Sequence, residues 1–127
     1  MTIHLDHTIV PSRNKMAAAK QLAGLLGVPW SVTSIGPFAP VFVNDGLTLD
    51  FIDTDKDFPV YHFCFRVGAD EFKAILGRIQ SAGIQYRSSV YGPVDMKVGT
   101  EYGNFYWNEP DGHQWELLTT SYARQPR

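Results

Sequence analysis

Four ionisable side chains stand out because their types and spacing repeat. His7 lies in the β-prone run Leu5-Asp6-His7-Thr8-Ile9-Val10, and Asp50 follows 43 residues later in Leu47-Thr48-Leu49-Asp50-Phe51. His62 lies in Val60-Tyr61-His62-Phe63-Cys64-Phe65-Arg66-Val67, and Glu116 follows 54 residues later in His113-Gln114-Trp115-Glu116-Leu117. Residues two apart on a strand share a face. His7 therefore stands with Leu5 and Ile9, Asp50 with Thr48 and Ile52, His62 with Val60, Cys64 and Arg66, and Glu116 with Gln114, Leu118 and Thr120. A carboxylate among mainly apolar or uncharged neighbours is costly to bury, and a cation, a proton or a metal is the usual remedy. Two imidazoles and two carboxylates offer mixed N and O donors, a set that suits Zn, Ni, Mn, Co or Fe(II). Each residue alone has a plainer reading: a surface or hydrogen-bonded His, a solvated Asp with Asp53 close by, an exposed strand Glu. The repeated pair is what points to a metal.

The elements that must position these groups repeat as well. The first strand is followed by Arg13 to Leu26, a helix with Ser12 as its N-cap and Gly27 as its stop. β-prone pieces follow around Trp30–Ser34, Pro40–Val43 and Leu47–Asp53, and Asn44-Asp45-Gly46 is a hairpin signal between the last two. The strand bearing His62 is followed by a helix capped by Asp70, with Phe72, Ile75, Leu76 and Ile79 as one buried stripe and Gly83 as its end. Strands around Ile84–Ser88, Asn104–Trp107 and Gln114–Thr120 complete the second half. Each half reads β-α-β-β-β, an α+β design of two modules at about 3–57 and 58–122. The extra length of the second half falls in the Gly-rich loop from Ser89 to Gly103, long enough to expect a function or mobility.

Composition narrows the function classes. A chain of 127 residues, 44% of them apolar, has the size of one domain and material for a core. A net charge of −2 gives no basic face for nucleic acid. No apolar run reaches the ~18 residues that cross a bilayer, and no basic start precedes an apolar run as in a secretion signal. A cytoplasmic protein is expected. The single Cys64 excludes an intrachain disulfide and reads as a small buried hydrophobe. Tyr106 is a further candidate polar site residue, whereas His4 and His113 alternate away from the ligand positions.

About residues 5 to 120 resemble the vicinal oxygen chelate family, which includes glyoxalase I, fosfomycin-resistance thiol transferases, bleomycin-resistance proteins and extradiol dioxygenases. Leu5-Asp6-His7, Tyr61-His62-Phe63 and Asn108-Glu109-Pro110-Asp111-Gly112-His113-Gln114-Trp115-Glu116 carry the likeness, with Glu109 in place of the family's usual Asp. The resemblance implies metal ligation by His7, His62 and Glu116, with Asp50 where glyoxalase I-like members place a fourth ligand. It also implies two βαβββ modules forming a cup-shaped mixed sheet, helices outside, commonly in a homodimer. Open metal positions would take vicinal oxygens of a small substrate, the metal acting as a Lewis acid and Glu116 or Asp50 as general base. Glyoxalase-like isomerase or lyase chemistry is the favoured expectation. An extradiol dioxygenase with a two-His-one-carboxylate iron site is the alternative, but Lys97, Val98 and Gly99 stand where its acid–base His belongs. A metal-free protein that sequesters a small molecule is the third.

Overall fold

Why each module folds as it does is visible in the alternation along its strands. The structure, a computed structural model, describes residues 2–32 and 36–124. The chain divides into two compact units, Met1–Pro59 and Val60–Arg127. The first contains β1 (His7–Ser12), α1 (Lys15–Leu26), β2 (Phe38–Asn44) and β3 (Leu47–Asp53). Its sheet has the order β1-β3-β2, with β1 parallel and β2 antiparallel to the central β3. One face of the sheet carries Val10, Ser12, Ala39, Val41, Leu49 and Phe51, all buried. Ala19, Leu22, Ala23 and Leu25 are the buried residues of α1. Asn14 caps that helix with its side chain on the Ala17 N–H, and Gly27 ends it in the left-handed region at φ 73°. Pro11 and Pro40 cost no ladder partner in the sheet interior, since both sit on edge strands.

The second unit contains β4 (His62–Arg66), α2 (Ala69–Ser81), β5 (Phe105–Asn108) and β6 (Gln114–Leu118). Its sheet order is β4-β6-β5, again parallel then antiparallel about a central strand. Trp115, Leu117, Phe105 and Trp107 are buried on one face. Phe63 and Phe65 stack on Trp115 there, and Phe72 of α2 meets Phe105 edge-on with ring centroids 5.4 Å apart. Successive side chains alternate across a strand, so the polar members of β4, β5 and β6 fall together on the other face.

The element order agrees with the two-module reading, with local differences. The expected strand around Ile84–Ser88 contracts to one bridge between Arg87 and Tyr106. The expected piece around Trp30–Ser34 likewise contracts to one bridge, Trp30 to Val41, while Thr33 and Ser34 lie outside the described residues. The helix caps shift too. Ser12 belongs to β1 and accepts from the Asn14 N–H, leaving the cap to Asn14. In the second unit Gly68 takes the N-cap position expected for Asp70, and Glu71 reaches back to accept from its N–H.

Candidate functional site

Strand register gives the two His–acid pairs the same address. His7 lies opposite Thr48 and Ile9 opposite Asp50 on parallel strands. His62 lies opposite Gln114 and Cys64 opposite Glu116 in the same way. Each acid thus occupies a central strand, and each His the parallel edge strand, two residue pairs away on the same face. On the antiparallel side Asp50 faces Pro40, and Glu116 faces Tyr106.

In the first unit the pair is open to water. The His7 side chain is 60% exposed, and its Nδ1 lies 2.7 Å from Asp6 Oδ2. That hydrogen bond raises the imidazole above its ordinary pKa, and the charges of Asp6 and Asp50 add to the effect. Asp50 itself is half-buried.

The second unit builds a closed network around Glu116, which is fully buried. Its Oε1 is 3.0 Å from His62 Nε2. Asn104 Nδ2 donates to Oε2 at 2.9 Å and to Tyr106 Oη at 3.1 Å. Tyr122 Oη donates to the same carboxylate, 2.8 Å from one oxygen and 2.9 Å from the other. An ionised carboxylate only accepts, so His62 presents Nε2–H to it and keeps Nδ1 as an acceptor. Burial, and next the carboxylate, raise the Tyr122 phenol; the same two causes raise Tyr106. The Cys64 thiol is pushed up to about 12, by desolvation first and then by Glu116.

Sequence reasoning offered His62 and Glu116 as ligand candidates and Tyr106 as a further polar site residue, and the structure brings the three together. The expectation that Glu116 is poorly compensated is corrected: three neighbours supply donors to it. Cys64, expected to be buried, is an exposed residue of this face. Asn104 and Tyr122 were missed. Asn104 continues the Tyr106–Asn104 alternation and could have been found, whereas Tyr122 lies beyond β6 in a segment with no periodicity to read. His113 stays off this face as expected, fully buried with Nδ1 accepting from the Tyr61 N–H. The Ser89 to Gly103 loop meets the network at Gly99, where a Cβ would come within 2.8 Å of Asn104 Oδ1.

Solved structures give this geometry relatives. The oxidase ChaP-H2 is 37% identical over 96% of this chain and 97% of its own, with a TM-score of 0.89. The oxidase ChaP-H1 is 34% identical over 97% of this chain and 100% of its own, at 0.88. The chain belongs to the vicinal oxygen chelate superfamily. The superfamily fold extends to the fosfomycin resistance protein FosX from Listeria monocytogenes, solved with Mn(II) and sulfate, at 18% identity, 96% and 94% coverage and a TM-score of 0.69. No family model matches the chain, and no curated protein matches it.

For a divalent metal, the donors the second unit could offer side by side are His62 and Glu116. Their 3.0 Å separation is one that two adjacent ligands at about 2.0–2.2 Å from a cation also have. Among the described residues, neither unit by itself gathers three or more His, Cys, Asp or Glu side chains able to hold a metal. Among the described residues, no helix is long and apolar enough to cross a membrane.

Proposed function

We propose that the protein is an oxidase acting on a small oxygenated molecule with an acidic O–H, or a C–H beside a carbonyl, and that His62 is its general base. The observation that carries the reading is the His62–Glu116 pair, a half-exposed imidazole hydrogen-bonded to a fully buried carboxylate. Glu116 fixes the tautomer and steadies the positive charge that forms when Nδ1 takes a proton. Asn104 and Tyr122 hold the carboxylate in place by donating to it. Proton removal from a catechol or hydroxy-ketone leaves an electron-rich phenolate or enolate; dioxygen takes two electrons from it and, with the two protons released, leaves as hydrogen peroxide, giving the quinone or diketone. The names of the two relatives above 30% identity support the oxidative outcome over the glyoxalase-like isomerase or lyase, which shares the same first proton transfer.

A second reading is favoured by the 3.0 Å donor spacing and by the Mn(II) in FosX. In it His62 and Glu116 are ligands to a divalent ion, which would supply Lewis-acid polarisation of a substrate oxygen. Oxygen uptake with enolisable hydroxy-ketones and catechols, before and after dialysis against EDTA, separates the two. Turnover that survives dialysis and falls about 10²–10⁴-fold in His62→Ala supports the first. Turnover lost with the metal and restored by Mn or Fe(II) supports the second. Isomerisation without oxygen uptake sinks the oxidase assignment. We also propose a homodimer, because β1 and β4 are edge strands of short sheets. Sedimentation showing only monomer at tens of micromolar would refute it.

A further inference from the structure

We propose that the cavity beside the Glu116 network binds an acidic small molecule, whose carboxylate or phenolate oxygen is held by Arg66 and Arg124. The inference rests on the oxidase reading for the site's purpose and names the substrate class.

The cavity lies within the second unit, has a volume of about 560 Å³, and is bordered by Cys64, Arg66, Ser121, Tyr122 and Arg124. That volume falls in the range of small-molecule sites. Arg66 shares the face of His62 and Cys64, two residue pairs along the strand from the Cys64–Glu116 pair and opposite Leu118. Arg124 comes from the segment after β6, where its N–H is tied to Ser121 Oγ at 3.3 Å.

The two guanidinium groups differ from the other arginines whose contacts are defined. Arg13 donates to the Thr54 and Lys56 carbonyls and lies over the Phe58 ring. Arg87 donates to Asn108 and to the Val90 carbonyl. Among the described residues, the Arg66 and Arg124 guanidinium groups have neither an ion pair nor a side-chain hydrogen bond. Neither forms an ion pair with Glu116, whose oxygens are engaged by His62, Asn104 and Tyr122. Two cations bordering one cavity repel each other until an anion joins them, and each offers a planar fork of donors matched to a carboxylate. The same cavity is bordered by Tyr122 and Cys64, both in contact with Glu116. An acid seated on the arginines would thus extend its body toward the His62–Glu116 pair.

Calorimetric titration of metal-stripped protein in EDTA with salicylate, and with neutral salicyl alcohol, tests this. Salicylate is expected to bind about tenfold or more tightly than the alcohol, and its affinity should fall with ionic strength. Arg66→Gln and Arg124→Gln should each weaken salicylate about tenfold while leaving salicyl alcohol unchanged, with Arg66→Lys between and Arg13→Gln like the wild type. Equal affinity for the two probes, wild-type salicylate affinity in both glutamine variants, or no binding of salicylate at millimolar concentration overturns the proposal. Because the readout is binding and not turnover, such a failure leaves the oxidase reading to be judged by oxygen uptake.

Discussion

The two modules place a His and an acid at one register and give them opposite surroundings. Around Asp50 the strand neighbours are Ile9 and Pro40, and the nearby His7 turns to Asp6 in water. Around Glu116 the corresponding neighbours are Cys64 and Tyr106, backed by Asn104 and Tyr122, and the carboxylate is fully buried. Duplicated topology therefore fixes where a functional pair stands, while the strand positions opposite the acid decide whether it becomes a buried, oriented dyad or a solvated corner. The turns joining the last two strands of each module differ in the same sense. Asn44 makes an exposed turn by accepting from the Gly46 N–H at 2.8 Å. Its counterpart buries Glu109, which accepts from the His113 N–H at 2.9 Å and keeps a second oxygen with no hydrogen-bond partner among the described residues.

This contrast can be broken most directly at the acids. Glu116→Ala leaves buried donors of Asn104 and Tyr122 unmatched and should cost about 3 kcal/mol of stability, against less than about 1 kcal/mol for Asp50→Ala. Urea unfolding measures both, and equal losses would mean that the modules are not differentiated as described. The turns provide the smaller, pH-dependent version. Burial, helped by Asp111, raises the Glu109 carboxyl from its ordinary value near 4.5 to about 7. The folded state then holds a proton that the unfolded chain has released. The stabilisation is complete below the ordinary carboxyl value and is lost as pH rises to about 7, a change of about 3 kcal/mol at most. Glu109→Gln should flatten that pH profile in unfolding measured at pH 5 and pH 8. Asn44→Ala should cost less than about 1 kcal/mol and leave the profile unchanged.

Much of this was legible from alternation alone. The strand Leu47–Asp53 and the stop at Gly27 coincide with the sequence reading, and the i, i+2 rule put Cys64 and Arg66 on the face of His62. The strands expected at Trp30 and Ile84 did not form as such, because β propensity does not say whether a partner strand runs alongside. Asp70 lost the cap to Gly68 because a side chain from within the helix, Glu71, satisfied the free N–H instead. The compensation of Glu116 was invisible for a related reason. Its donors come from a residue just ahead of β5 and from an irregular segment after β6, and only folding makes them neighbours.

Gly99 carries a consequence for how such a loop can drift over generations. Surface loops are where lineages gain and lose residues at little cost. Here the Asn104 amide oxygen, the Asn104 carbonyl and the Ser88 carbonyl leave no room for even a methyl group at position 99. The loop is also tied at Val90, Asp95 and Met96, but Gly99 is the point pinned to the amide that holds the buried acid. Insertions will accumulate away from it, and the smallest residue will persist there in any descendant that keeps the dyad.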